Sequence, residues 1–600
     1  MPDAPELLDC RHAAICAGCP LAFVAYARQL VGKRDRLEKA LQAYGVLTAL
    51  TVPNTVPASP NTRYRVRVKL VVEGSALGLF HKDGHAVVDI PDCRVMTPKL
   101  GAAVAALRSM LPLEFPLLAL DAREVDAGVL ATLIVPPDVS RARVEGAALD
   151  LMHRCGSVVG VALARRAPKS AQVLGSAPEP LVGAFAAPHR LADSMPYHIA
   201  TPGGFVQAHA GQAAKLYERI GQVLERKLGG LRGRRILELY AGSGALALHL
   251  AQASARVVAA DSFAPSLSQA REAAAQQGLD MEIREATAEK AVETREPFDA
   301  VLVDPPRKGL SASVRSGIAV LRPSVLVYVS CEPRTLARDL AALTVLGLRP
   351  ESVEPWDMIP QSDAVEALAV LTPAPPPPPR VLYEDERLIA VDKPAQLPTT
   401  PQGEHELSLL DAVRKLPQAS EAVPVHRLDL GTSGVCLFAR RPEYAALLGE
   451  ALAQGQKEYL GLARGITHKR GRIERALNDG TGVRDAVTRY ERTQVVGTHS
   501  LVRAMPETGR RHQIRRHFAH IGHPLLGDAR YGNPASNRHF EERHGLDRPF
   551  LHLERITLPA MPVLRSELAP ELAAVLESIE ETNARRPRSG PGQKAPPRGE

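Results

Sequence analysis

The order of apolar and polar positions divides the chain into two successions of elements. Apolar spacing over residues 21–44 predicts an amphipathic helix stopped by Gly45. Residues 63–70 read Arg-Tyr-Arg-Val-Arg-Val-Lys-Leu, a strict alternation that predicts a strand with a cationic face and an apolar one. From about 100 to 190 the chain is rich in Ala, Val and Leu and offers little that can be assigned to chemistry. Helical spacing resumes near Gln207 and runs to Leu228. A hydrophobic strand then passes through Tyr240 into Gly242-Ser243-Gly244 and a further helix, and the next strand ends at Asp261. Two more apolar stretches, 298–303 and 324–330, predict strands that deliver Asp304 and Cys331 at their carboxyl ends. The second succession starts at Val381, with two short strands around a polar turn closed by Lys393-Pro394.

Between the two lies Pro-Ala followed by five consecutive prolines, residues 373–379. Without backbone donors and with φ fixed, such a run joins neither helix nor sheet. It reads as a polyproline II spacer, and at about 3.1 Å per residue it would hold two bodies roughly 20 Å apart. The length of 600 residues agrees with several domains. Composition is that of an ordinary globular protein, with no run of eighteen apolar residues and no secretory pattern at the start, so a cytoplasmic protein without a membrane partner is expected. A net charge of +8 fits a polyanionic partner, and no obligate protein partner is implied.

Seven cysteines are spread unevenly. Cys10, Cys16, Cys19 and Cys93 have a spacing that suits either a 4Fe-4S cluster or structural zinc. Strand, glycine turn, helix, strand and Asp261 together suit a nucleoside cofactor at the ends of a parallel sheet, and the missing third glycine argues against a dinucleotide. Cys331 at a strand end is placed for attack, although small buried cysteines are common.

Residues 1–371 resemble the RNA 5-methyluridine methyltransferase family through Asp304-Pro305-Pro306-Arg307, Ser330-Cys331-x-Pro333-x-Thr335, and Asp357-Met358 leading to Glu366. The resemblance implies a class I, Rossmann-like S-adenosylmethionine methyltransferase, with Cys331 as nucleophile and Glu366 as base. It also implies cofactor contacts from Gln207, Tyr240, Asp261 and Asp304, and a 4Fe-4S cluster on the four amino-terminal cysteines. The cysteine set resembles the 23S rRNA branch more than the tRNA branch. Two positions depart from the family: His209 stands where asparagine is usual, and Ala364 where histidine is frequent.

Beyond the prolines, His426-Arg427-Leu428-Asp429-Leu430-Gly431-Thr432-Ser433-Gly434 resembles the signature of the RluA-type pseudouridine synthases. Lys457-Glu458-Tyr459 and Gly509-Arg510-Arg511-His512-Gln513-Ile514-Arg515 agree. An isolated aspartate is otherwise more often a cap or an ion-pair member; the resemblance makes Asp429 catalytic, with no metal or cofactor. It implies that Arg427 holds the opened site, Tyr459 packs on the base, and Arg510 or Arg515 pairs with Asp429 or phosphate. The cations of residues 503–523 suggest phosphate contact.

The expected layout is an iron-sulfur and central RNA-binding region at 1–190, a methyltransferase domain at 191–371 and a linker at 372–380. An α/β synthase domain with a mixed, largely antiparallel sheet follows at 381–576, then a disordered basic tail at 577–600. The expected function is bifunctional modification of rRNA or tRNA. Its rival is one inactive half kept as an RNA-binding module.

Overall fold

The computed structural model describes residues 7–167, 175–294, 296–401, 407–478 and 482–584. They form two compact units: Met1–Arg307 with Gly317–Ala337 and Leu348–Ala374, and Pro375–Glu600 with Lys308–Ser316 and Arg338–Gly347. The partition is therefore not linear in sequence. Among the described residues no helix is long and apolar enough to cross a membrane.

The first unit holds two seven-stranded sheets. In the amino-terminal one the spatial order is Val87–Asp89, Ala76–Phe80, Arg67–Glu73, Ala119–Val125, Gly128–Val135, Val158–Arg165 and Glu179–Gly183. Helices Pro98–Arg108 and Arg141–Arg154 cover it through Leu100, Val104, Leu107, Val144 and Leu151. Every residue of Gly128–Val135 is buried, so this strand shows no alternation, which explains why the region was opaque to pattern reading.

The strand expected at 63–70 forms at Arg67–Glu73 instead, and Tyr64, Val66, Val68 and Leu70 are buried as the alternation requires. Its cationic face is not an open rail for phosphates. Arg67 makes a two-pronged pair with Asp121 at 2.7 and 3.0 Å and donates to the Gly204 carbonyl, while Arg65 lines an internal cavity.

The second sheet runs Met281–Glu285, Arg256–Asp261, Arg235–Leu239, Ala300–Val303, Val325–Ser330, Glu366–Pro373, Leu348–Trp356. Pairing is parallel through Val325–Ser330 and antiparallel for the last two strands. Strand order reverses beside Arg235–Leu239, which creates the crevice where open α/β sheets bind ligands. The helix expected from 207 begins at Ala210, because His209 is its N-cap: Nδ1 accepts from Gln212 N at 3.2 Å and Nε2 faces the Pro60 carbonyl at 2.9 Å.

The helix expected at 21–44 spans Tyr26–Gln42. Residues before it turn instead, and the Gln29 amide donates to the carbonyls of Leu21 and Val24. This helix grips the segment leading to Glu366. Lys33 pairs with Asp357 at 2.5 Å, both side chains at most 1% exposed; Tyr26 donates to Asp357 at 2.7 Å and Gln29 to Gln361 at 3.0 Å.

In the second unit the main path of the sheet is Arg380–Glu384, Leu388–Lys393, Ser433–Ala439, Leu551–Thr557, Gln456–Ala463, His499–Pro506, Val487–Val496, Arg470–Glu474. Only Ser433–Ala439 with Leu551–Thr557 is parallel along that path, so the sheet is mixed and largely antiparallel. Helix Pro570–Ala584 runs past 577, where a disordered tail was expected to begin. It is ordered because Leu572, Val575 and Ile579 bury against Phe540 and Leu546. Residues 585–600 lie outside the described residues.

Removing one partner of a buried ion pair strands the other charge. Lys33→Met is expected to cost about 3–5 kcal/mol, read as an earlier first transition in urea denaturation of the full chain.

Candidate active sites

In the first unit, the crevice at the sheet reversal is a cavity of about 590 Å³, open to solvent and lined by Phe205, Tyr217, Glu238, Tyr240, the Gly242 turn and Asp304 among others. Two backbone features shape it. Gly242 and Gly244 adopt φ of 54° and 72°, which glycine enters without a Cβ penalty. Tyr240 also has a positive φ, 62°, a strained value for a bulky residue, and such strain gathers at ligand sites. Asp261 fastens the turn: Oδ2 accepts from Gly242 N at 2.9 Å and Oδ1 from Phe263 N at 2.8 Å. Gln207 lies beside the buried Tyr217 hydroxyl.

Strand register brings together three reactive groups. Ser330 pairs with Ala367 across the antiparallel edge, so the next step sets Cys331 against Glu366. Val303 pairs with Tyr328, which places Asp304 at the same end of the sheet. The Thr335 hydroxyl donates to the Arg307 carbonyl at 2.9 Å, tying the loop after Asp304 to the one after Cys331. The electrostatics follow from burial. Asp304 and Glu366 are pushed above the usual carboxylate range by desolvation, and Asp304 raises Glu366 further. The Cys331 thiol is pushed up to about 11 by burial and by the two acids, against the pull of Arg307.

Glu238 escaped the sequence reading. Burial and Asp304 raise its carboxyl to about 8, and its buried Oε2 has no hydrogen-bond partner. An acid inside the apolar stretch Arg235–Leu239 was the available signal, because buried acids are rare unless paired.

A second cavity of the same unit, about 620 Å³, is lined by Cys10, Cys16, Cys19 and Cys93 with Arg65. Burial and the neighbouring thiols push Cys19 up to about 12, and Cys16 and Cys93 move in the same direction. Among the described residues no group of side chains is arranged around a single metal ion. The buried Nε of Arg65 has no hydrogen-bond partner.

In the second unit Asp429 sits in the loop before Ser433–Ala439, with its side chain 28% exposed. Of the two arginines considered, Arg515 is its partner, with Nη1 donating to Oδ2 at 3.2 Å; Arg510 donates to the Asp485 carbonyl. Arg515 also grips Asp528 at 2.7 and 2.8 Å, which holds Asp528 below the usual carboxylate range despite burial. The phosphate reading of 503–523 is narrowed accordingly: Arg503 pairs with Glu458 and Glu554, and Arg516 donates to the Asn478 carbonyl. Arg427 is exposed, and Tyr459 lies within the field of Asp429.

Lys393, Asp528 and Tyr531 had no assigned role. Lys393 is fully buried and donates to the carbonyls of Pro394, Leu430 and Thr432 at 3.0, 3.4 and 2.8 Å, which binds the Asp429 loop to the preceding strand. Its ammonium is pushed down to about 7, chiefly by burial.

A parallel sheet with a ligand crevice at its reversal and a thiol-acid cluster beside it fits a methyltransferase core; the second sheet carries a separate site, the partly exposed Asp429 bridged by Arg515 to the buried Asp528. The model of the tRNA (uracil-5-)-methyltransferase family matches residues 191–371, and that of the RNA pseudouridylate synthase family matches 387–520. A tRNA pseudouridine synthase C of Haemophilus ducreyi is 34% identical over 218 residues, 30% of this chain and 90% of that protein. An uncharacterized RNA methyltransferase of Geobacter sulfurreducens is 28% identical over 423 residues, 66% of this chain and 81% of that protein. The crystal structure of Pyrococcus abyssi tRNA (uracil-54, C5)-methyltransferase with S-adenosyl-L-homocysteine aligns at 25% identity and a TM-score of 0.49, over 60% of this chain and 86% of that one. The chain belongs to the RNA pseudouridine synthase family and carries a uracil-5-methyltransferase domain ahead of it. It is a bifunctional RNA-modifying enzyme.

The raised acids give a pH signature. Their folded pKa values exceed the unfolded ones, so folding binds protons, and stability falls as pH rises above about 4, the unfolded carboxylate value. Asp304→Asn is therefore expected to raise the melting temperature of the ligand-free protein at pH 8 and to change it little at pH 4. Equal shifts at both pH values in scanning calorimetry would remove the assignment.

Proposed function

We propose that the first unit methylates carbon 5 of uridine in RNA through Cys331 and Glu366, and that the second isomerises uridine to pseudouridine through Asp429. The observation that carries the methylation reading is that Cys331 and Glu366 each adjoin the paired Ser330 and Ala367, with both Glu366 and Asp304 acting on the Cys331 thiol. Carbon 5 of uracil is a poor nucleophile until a thiolate adds at carbon 6, which makes carbon 5 enolate-like. Bound S-adenosylmethionine would supply the electrophilic methyl group. Tyr240, the Gly242 turn and Asp304 line the cavity that would hold it, while Gln207 and Asp261 act from its edge. Glu366 then removes the carbon 5 proton, and elimination frees Cys331. Burial and the neighbouring acids push the Cys331 thiol up to about 11, so substrate binding would have to shift its proton before attack. Burial and Asp304 hold a proton on Glu366 as well, so Glu366 must lose it before it can act as the base.

Asp429 would act on the ribose or base of a flipped uridine, with Arg515 holding its charge and Tyr459 packing on the ring. The likeness to tRNA pseudouridine synthase C supports tRNA as the substrate of this half, and the cysteine set supports 23S rRNA for methylation. Cys10, Cys16, Cys19 and Cys93 would hold a 4Fe-4S cluster. Supporting this are four thiols lining one cavity and, among the described residues, a buried Arg65 donor without a partner beside them. The cluster would tie residues 10–19 to Cys93 as a structural clamp. The expected linker 372–380 is shorter in the structure, because Thr372 and Pro373 end a strand and Arg380 opens the next; residues 374–379 would act as the spacer between the activities, in the cytoplasm.

Mass-spectrometric mapping of rRNA and tRNA from cells carrying single variants tests the reading. Cys331→Ala is expected to abolish 5-methyluridine and leave pseudouridine intact, and Asp429→Ala to do the reverse. Methylation surviving Cys331→Ala would end the assignment. Cys19→Ser is expected to strip the visible iron-sulfur absorbance from the purified protein.

A further inference from the structure

Isomerisation at Asp429 has a proton to dispose of. The bond from uracil N1 to ribose C1′ breaks, a bond from C5 to C1′ forms, and C5 must then lose its hydrogen as a proton while N1 gains one. Asp429 is poorly suited to that second task, because Arg515 stabilises its anionic form at 3.2 Å.

The other groups around Asp429 can be taken in turn. Lys393 is engaged elsewhere, its fully buried Nζ donating to the carbonyls of Pro394, Leu430 and Thr432 that hold the loop in place. Arg515 stays protonated and is occupied by two carboxylates. Tyr459 is half-buried, and its hydroxyl is pushed well above the usual phenol range by desolvation and by Asp429, which favours the neutral phenol, a weak base. Asp528 is inside the Arg515 fork and also accepts from the amides of Arg530 and Tyr531.

His512 remains. Its Nε2 lies 3.7 Å from Asp429 Oδ1, and its Nδ1 lies 3.0 Å from the Tyr531 hydroxyl. Its side chain is 14% exposed. The residue caps helix Gln513–His520 at φ 53°, a left-handed conformation uncommon outside glycine, so the backbone spends strain to aim this ring. Burial and the cations of Arg515, Arg511 and Arg530 favour neutral imidazole, against the pull of Asp429. Tyr531 packs edge-on against the ring, and its hydroxyl can either donate to Nδ1 or accept from it. When it accepts, Nδ1 carries the hydrogen and Nε2 presents a lone pair beside Asp429.

We propose that His512 is a catalytic residue of the synthase half, the base that takes the carbon 5 proton once C5 is bonded to C1′. The resulting imidazolium returns its proton to N1 or to solvent, so no external reactant is needed. The inference rests on Asp429 acting on the target uridine, and loss of that reading would be seen separately, as activity retained by Asp429→Ala.

The experiment uses the full chain with His512→Asn, which keeps a side chain tolerant of the left-handed cap. The RNA transcript carries uridine either ordinary or deuterated at carbon 5. The variant is expected to make pseudouridine about 100-fold more slowly, within the range lost with a general base. It should also show a normal primary isotope effect larger than that of the unmodified enzyme, because proton removal has become limiting. Near-native rates would overturn the proposal. Slow turnover without an increased isotope effect would overturn it too, reducing His512 to a positioning residue. An unchanged melting curve and unchanged methylation by the same preparation confirm that the variant is folded.

Discussion

Taking a carboxylate out of water is the constraint around which both active sites are arranged, and the two units meet it in opposite ways. In the synthase half Asp429 keeps a path to solvent, and Arg515, wedged against Asp528, neutralises it. A bridging guanidinium of this kind holds an anion ready at neutral pH, and its two-pronged grip on Asp528 fixes its direction. In the methyltransferase half Glu238, Asp304 and Glu366 crowd the end of one sheet and, among the described residues, have no ion pair of comparable geometry. Desolvation there favours the protonated acids, and it costs stability at neutral pH. Bringing in a sulfonium-bearing cofactor would repay part of that cost with positive charge.

The polypeptide accommodates this cost by stiffening what lies behind the acids. Asp304 and Cys331 end neighbouring parallel strands, and Glu366 begins the antiparallel strand beside them, so ladder register decides their spacing. The segment from Asp357 to Gln361, which leads to Glu366, is bound from the amino-terminal helix by Lys33, Tyr26 and Gln29. Lys393 does the equivalent work for Asp429 by bonding three backbone carbonyls rather than side chains. In both halves buried polar contacts beneath these side chains fix their placement.

Much of this was legible in the residues. Strands that end in a reactive side chain, such as those before Asp261, Asp304 and Cys331, show an apolar run and then an abrupt polar residue, and all formed where expected. The hairpin after the prolines formed too. What stayed hidden was hidden for physical reasons. The amino-terminal sheet has strands buried on both faces, and its Ala-rich composition carries no period of two. The alternating cations at 63–69 looked like a phosphate rail, because a sequence does not show that Asp121 and Gly204 wait across the sheet for Arg67. His209 departs from the usual asparagine, yet its ring nitrogen caps the same helix end, a function both side chains can supply. Arg510 and Arg515 could not be told apart until helix Gln513–His520 turned one of them inward.

Joining the two chemistries raises a question of order that carbon 5 itself answers. A methyl group on carbon 5 removes the hydrogen that pseudouridine formation must release. Once C5 is bonded to ribose, it is no longer the vinylic carbon of a normal uridine, and N1 has become an N–H. Each product is therefore closed to the other enzyme at the same nucleotide. Fusion cannot serve successive steps on one base; it serves two uridines, each of which must be unstacked at a cost of a few kcal/mol. Whatever RNA is engaged, the selectivity that matters lies in which uridine is offered to which crevice. On the proposed roles of Cys331 and Asp429, that choice would belong to the surfaces around them rather than to the reacting groups, since both would act on the same heterocycle.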